Sequence, residues 1–207
     1  MRYPRSRIII FAKPPIPGQC MTRLAATIGE VEAAEIHARL TRHILSITTS
    51  SGLCPVELWC ANNPEHAFFN QCQLDFPVRL QQQQGDDLGE RMAHAFAETL
   101  KEADQVICIG CDCPALTAAD LEQALVSLGH GYDCVLKPAE DGGYVLIGLN
   151  SVAKDVFQGI PWGSDTVMQE TRTKLKSLGY RHHELATTWD LDRPADLDRL
   201  DALCLLP

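Results

Sequence analysis

The sequence predicts an α/β fold, a mostly parallel sheet with helices on both faces, and three observations lead there. Short apolar runs alternate with longer segments of helical period. Runs such as Ile8-Ile9-Ile10 and Val106-Ile107-Cys108-Ile109 are continuously apolar, as strands buried on both faces must be. Each of these two runs ends in a loop of small or turn-forming residues, Pro14-Pro15-Ile16-Pro17-Gly18 after the first and Gly110 after the second.

The elements follow in order. Arg7–Ala12 reads as the first strand, with the Pro/Gly loop and a helical start behind it. A helix is expected from about Glu30 to Ile47, because Ile36, Leu40, Ile44 and Ile47 form one stripe. Val56–Ala61 and Val78–Gln82 read as strands. Leu88–Leu100 reads as a helix with Leu88, Met92, Ala95, Phe96 and Leu100 on one face. The Val106–Ile109 strand follows. Thr117 with Asp120 suggests a capping box opening a helix that turns Leu121, Leu125 and Leu128 inward. Cys134–Pro138 and Tyr144–Leu149 read as strands around Glu140-Asp141-Gly142-Gly143, a turn that can introduce an antiparallel element. Helices near Thr166–Leu178 and Pro194–Leu203, with a short strand near Arg181–Leu185, complete the pattern. No repeat, long linker or break in composition divides the chain, so one domain over residues 1–207 is expected.

Composition narrows the function. Against 18 Lys and Arg stand 27 Asp and Glu, a net charge of −9, which disfavours a nucleic-acid backbone as partner. A phosphorylated small molecule is still admissible, because a local cationic site outweighs a distant field. No apolar run approaches the roughly 20 residues of a membrane span, and the run at Ile8–Ala12 is too short for a signal sequence. A cytoplasmic protein is expected. The nine cysteines are odd in number and mostly lie in apolar runs, as reduced core thiols do. Cys108, Cys111 and Cys113 lack the second spaced pair of a structural zinc site.

Asp112 is the central candidate. A carboxylate just past the C-terminal end of a buried strand lies where open α/β sheets bind ligands. It would suit Mg²⁺, which combines few protein oxygens with phosphate and water; a turn-capping role is the alternative. The first loop can offer a phosphate backbone N–H groups near Gly18–Thr22, with Lys13 and Arg23 adding cationic reach. It is neither a P-loop nor a dinucleotide fingerprint. Asp190 and Asp192 point the same way in an extended segment; Asp190 is the better ligand candidate, and Asp192, just before Pro194, equally suits a helix start. Asp141 can act as a base toward an acceptor hydroxyl or simply make a tight turn. Trp162 can stack on a sugar or base, or fill a seam under its loop. Adjacent His182 and His183 face opposite ways on a strand and receive no role.

Five stretches in order resemble a bacterial family of small glycosyltransferases of the GT-A type, one branch of which is linked to arsenosugar biosynthesis. They are Ala12-Lys13-Pro14-Pro15 with Pro17-Gly18 and Thr22-Arg23-Leu24; Gly85-Asp86-Asp87-Leu88-Gly89-Glu90-Arg91-Met92; Gly110-Cys111-Asp112-Cys113-Pro114; Asp141-Gly142-Gly143-Tyr144; and Asp190-Leu191-Asp192-Arg193-Pro194-Ala195-Asp196-Leu197. The resemblance implies a GT-A-like fold and transfer of a sugar from a nucleoside-diphosphate sugar to a small acceptor, with Mg²⁺ or Mn²⁺ on Asp112 and Asp190. It implies nucleotide or donor contacts from Ala12, Lys13, Pro14, Gly18, Thr22 and Arg23. It extends these contacts to Asp87, Gly110, Cys111, Gly142, Gly143 and Trp162. Asp141, Lys13 and Arg23 would take part in catalysis. Nucleotidyltransferases share the fold, so a reaction of an NTP with a phosphorylated small molecule is the alternative, and a non-catalytic nucleotide-binding protein is a third. One position departs from the family pattern: Met21 stands where a Lys usually precedes Thr-Arg-Leu.

Overall fold

The computed structural model describes residues 1–151 and 154–201. The strands are β1 (Ser6–Ala12), β2 (Val56–Cys60), β3 (Val78–Gln82), β4 (Gln105–Ile109), β5 (Cys134–Pro138), β6 (Tyr144–Leu149) and β7 (His182–Glu184). They form one seven-stranded sheet in the order β3-β2-β1-β4-β6-β5-β7. The α-helices are α1 (Thr22–Ile28), α2 (Glu30–Ser50), α3 (Ala67–Asp75), α4 (Leu88–Thr99), α5 (Ala118–Gly129), α6 (Val167–Ser177) and α7 (Leu197–Asp201).

The two-residue alternation of a strand puts helices on both faces. In β1, Ile8 and Ile10 pack with Ile44 and Leu45 of α2 and with Leu121, Leu125 and Leu128 of α5. Ile9, between them, joins the opposite cluster with Met92 and Phe96 of α4 and Met168 and Leu175 of α6. β1 lies parallel to both β2 and β4, with Ile10 opposite Leu58 on one side and Ile109 on the other. The expected mostly parallel sheet is therefore present. β6 is antiparallel to both β4 and β5, because the Asp141–Gly143 turn sends the chain straight back.

Several local expectations needed revision. α3 was not anticipated: it spans only nine residues, and only Phe69 and Cys72 are buried, too few to show a period. His66 caps it, its Nδ1 accepting from the Phe68 N–H at 3.2 Å. Leu88 is not on the buried face of α4; as the first residue of that helix it is 44% exposed. Ile47 is half-buried, while Leu45 and Thr48 are buried on the inner side of α2. The last helix is divided into a 3-10 turn at Pro194–Asp196 and α7, and Leu203 lies outside the described residues. Among the described residues no helix is long and apolar enough to cross a membrane.

The capping box forms as expected. Thr117 Oγ1 accepts from the Asp120 N–H (3.2 Å), and Asp120 Oδ2 accepts from the Thr117 N–H (2.9 Å). The other oxygen of Asp120 accepts from Lys137 Nζ at 2.7 Å, and this β5 lysine is 4% exposed. A second Lys137 contact, to the Ala186 carbonyl at 3.0 Å, ties β5 and α5 to the segment that follows β7.

Candidate active-site cleft

A cleft of about 550 Å³ opens where β1 and β4 end and β6 begins. This is the edge at which parallel strands expose their carboxyl ends and at which α/β sheets receive ligands. Asp112 stands in it three residues past the end of β4, open to solvent yet walled by protein on several sides. Burial raises its pKa above the usual carboxylate range, with Asp141 and Asp192 adding to the rise and His37 opposing it.

Backbone contacts bring the distant acidic segment to the same place. The Leu191 N–H donates to the Asp112 carbonyl (2.8 Å), and the Cys113 thiol donates to the Trp189 carbonyl (3.2 Å). One step earlier, the Thr188 N–H donates to the Pro138 carbonyl (2.9 Å), and Thr188 accepts from the Glu140 N–H (3.0 Å). Residues 188–191 therefore run from the end of β5 to the end of β4, and Asp190 and Asp192 line the cleft beside Asp112. Burial first, and then the charges of Asp112 and Asp141, push the Asp190 carboxyl up to about 7.

Asp141 lines the cleft from the turn between β5 and β6. Its Oδ1 accepts from the Gly143 N–H at 2.8 Å, so the turn reading and the cleft position hold together. Gly142, at φ 92°, backs onto the next loop: a Cβ there would meet the Asp165 carbonyl oxygen at 2.0 Å, so glycine is a steric necessity.

The cationic wall comes from the first loop. Lys13 and Arg23 both line the cleft. Arg23 Nη1 donates to Asp192 Oδ2 at 2.7 Å, and its Nη2 donates to the Gly163 carbonyl at 3.2 Å, spanning the cleft mouth. Met21 lines the cleft in the left-handed backbone region (φ 45°), which is strained for a side chain of its type. His37 of α2 was missed by sequence reasoning, because on that helix it looked like one more residue beside the apolar stripe. Its Nε2–H donates to the Lys13 carbonyl (3.0 Å), and its Nδ1 lies 3.9 Å from the Cys111 thiol. Burial opposes its positive charge, but Cys111, the Lys13 carbonyl and Asp112 together push its pKa up to about 9. A buried histidine thus fixes the backbone of the cationic loop against the strand that leads to Asp112.

Trp162 also lines the cleft, its ring set edge-on to Tyr144 at 6.4 Å between centroids. Its indole lies so close to Gly89 that a Cβ there would meet Nε1 at 2.6 Å. Ala12, Thr22, Gly110, Cys111 and Gly143 line the cleft as well. Four sequence candidates lie outside its lining and have local roles. Asp87 caps α4, its Oδ1 accepting from the Glu90 N–H at 2.8 Å. Pro14 is buried beneath the loop, Gly18 takes φ 77° against the Glu30 carboxylate, and Gly142 packs on Asp165.

Gly110 carries a sharp steric demand. A Cβ at this position would stand 2.6 Å from Asp112 Oδ1, so the carboxylate is folded over a glycine. Gly110→Ala is expected to displace that carboxylate, and for the metal–nucleotide site proposed below the expected cost is about tenfold in affinity, the lower end of the cost of disturbing a ligand's support. Calorimetry on the variant, alongside its melting temperature, checks this.

The donor set fits a divalent cation. It is made of carboxylate oxygens, the choice of hard ions, and the elevated Asp190 pKa marks anions in need of positive charge. Among the described residues no three His, Cys, Asp or Glu side chains form a ready-made metal cage.

Comparison with known proteins identifies the family and the fold. Residues 44–164 match the model of a family described as an uncharacterized protein conserved in bacteria, DUF2064. No curated protein matches the chain by sequence. Among solved structures, a candidate nucleotide-diphospho-sugar transferase from Desulfovibrio desulfuricans is 31% identical, with a TM-score of 0.87 over 95% of this chain and 86% of that one. A nucleotidyl transferase from Methanothermobacter shares 14% identity at TM-score 0.63, over 97% of this chain and 98% of its own. A 4-diphosphocytidyl-2C-methyl-D-erythritol synthase shares 14% identity at TM-score 0.64, over the same shares of the two chains. The last two likenesses bear on the fold alone.

Proposed function

The chain belongs to the DUF2064 family and has the nucleotide-diphospho-sugar transferase fold, and from that premise we propose that it transfers a sugar from a nucleoside-diphosphate sugar to a small acceptor, aided by Mg²⁺ or Mn²⁺. The observation that carries this reading is the docking of the 188–191 segment on the end of β4, where the Leu191 N–H meets the Asp112 carbonyl. That contact gathers carboxylates opposite Lys13 and Arg23 in one cleft.

In this reading Asp112 and Asp190 hold the cation. When bound, the cation supplies Lewis-acid neutralisation of the charge that grows on the departing diphosphate. Lys13 and Arg23 bind diphosphate oxygens and share that neutralisation. Arg23 must first exchange its contacts with Asp192 and Gly163 for the ligand, which couples donor binding to the cleft mouth. Trp162 and Gly143 border the sugar, and Cys111, Gly110, Ala12 and Thr22 border the nucleotide. Asp141 accepts the proton of the acceptor hydroxyl as it attacks the sugar. The carbon–oxygen bond to the diphosphate breaks, and the nucleoside diphosphate leaves.

A second reading, nucleotidyl transfer, is compatible with the fold, which the nucleotidyl transferase and the cytidyl synthase named above share. The products separate the two. Incubation of the full chain with Mn²⁺, nucleotide sugars and small acceptors should release nucleoside diphosphate. Release of pyrophosphate from an NTP and a phosphorylated acceptor, with no diphosphate from any nucleotide sugar, would replace sugar transfer with nucleotidyl transfer.

A further inference from the structure

We propose that a second cavity, between β2, β3 and α4, binds a small organic molecule through a protonated primary amine. The cavity measures about 290 Å³, near the lower end of small-molecule sites. It is bordered by Trp59 and by Glu57, Arg79, His94, Glu98, Thr99 and Lys101, none of which lines the cleft described above.

Its charges do not balance. Arg79 pairs with Glu102 at 3.3 Å, and Lys101 pairs with Glu98 at 2.6 Å, so the rim is neutral. Glu57 is left over. It is 5% exposed, and among the described residues its Oε2 accepts only from neutral donors, Trp59 Nε1 at 3.0 Å and Thr99 Oγ1 at 3.4 Å. Arg79 is its register neighbour on β3, yet the guanidinium is engaged by Glu102 instead. A carboxylate buried without a cation is costly unless something positive arrives.

His94 also borders the cavity, although its Nδ1 is closed off from it. His94 Nδ1 is buried and has no hydrogen-bond partner among the described residues. Gln81, Gln82 and Gln84 also border it, and each carboxamide offers an oxygen that can accept as well as an NH₂ that can donate, so the selection for positive charge comes from Glu57. An ammonium group has three donors and no acceptor, which complements this set; a carboxylate or phosphate would face Glu57 and be repelled. The concave shape and modest volume select a free small molecule with a few polar groups beyond the amine.

The Trp59 indole N–H, which donates to Glu57, provides a direct reporter. The full chain labelled with ¹⁵N would be titrated with ethanolamine and aminobutanol, and in parallel with the uncharged ethylene glycol and pentanediol. Trp59→Phe assigns the reporter among the indole signals of the three tryptophans. The expected result is a saturable shift of the Trp59 signal with at least one amine and none with the diols, and a loss of affinity of at least about tenfold in Glu57→Gln, as expected for a lost charge-assisted contact. Equal response to amine and diol, or no saturable response to either amine, would overturn the proposal. If Glu57→Gln does not fold, amine against diol on the unaltered chain decides the matter alone.

Discussion

Replacing Asp112 with Asn should remove Mn²⁺-dependent nucleotide binding and reduce turnover by at least about 100-fold, while leaving the fold intact. Loss of an outer contact to a metal ligand already costs about 10–100-fold, and in the proposed mechanism Asp112 is itself an oxygen ligand that would lose its charge. The fold survives because no side-chain hydrogen bond to Asp112 is seen among the described residues; its neighbours hold it by backbone, through the Leu191 N–H. Asn retains that carbonyl. It also relieves repulsion among Asp112, Asp190, Asp141 and Asp192, so in chelator the variant should melt at or above the wild-type temperature. Paired turnover and melting measurements check both halves. Near-wild-type turnover would remove Asp112 from the mechanism, and a large fall in melting temperature would make its role structural.

Replacing Asp120 with Asn should cost about 3–5 kcal/mol of stability, the usual penalty for leaving one member of a buried ion pair uncompensated. Lys137, 4% exposed, would be left with the Ala186 carbonyl and the remaining amide oxygen as partners. The capping box at Thr117 would weaken at the same time. Lys137→Met should be milder, because Asp120 retains Thr117 and more exposure to water. The pH dependence has a defined sign. Burial opposes the Asp120 charge, but Lys137 and Thr117 outweigh it and hold its pKa below the usual value. The stabilisation is therefore fully present above the unfolded-state pKa of about 4 and lost as pH falls through the lower folded value. Denaturant titrations of wild type and Asp120→Asn should differ most at neutral pH and draw closer in acid.

Much of the fold was legible because it rests on continuous apolar runs and strong helical stripes. Ile8-Ile9-Ile10 could only be a strand buried on both sides, and α2, with Ile36, Leu40 and Ile44, could only be an amphipathic helix. Short elements were not legible. α3 buries two side chains, and α7 follows a 3-10 turn, so neither leaves a period to read. Leu88 misled because periodicity does not say where a helix begins.

The candidate site divides in a similar way. Asp112, Asp190, Asp141, Lys13, Arg23 and Trp162 carry chemistry visible in their type and loop position, and all border one cleft. Asp87, Gly18 and Gly142 share motifs with them, but capping, a left-handed turn and a close backbone approach explain those residues locally. The contribution of His37 depends on a contact across 24 residues of chain, to the Lys13 carbonyl, and no local pattern encodes it. The salt bridge from Arg23 to Asp192 spans 169 residues and is a tertiary fact of the same kind.

The central claim is that the cleft at the ends of β1 and β4 holds a nucleoside diphosphate together with a divalent ion. Calorimetric titration of the chain with UDP, CDP, GDP and ADP, in Mn²⁺ and in chelator, tests it most directly. Saturable binding of at least one of these that vanishes in chelator and in Asp112→Asn is the predicted result. Binding that ignores both the ion and Asp112, or no binding by any of the four, would contradict it.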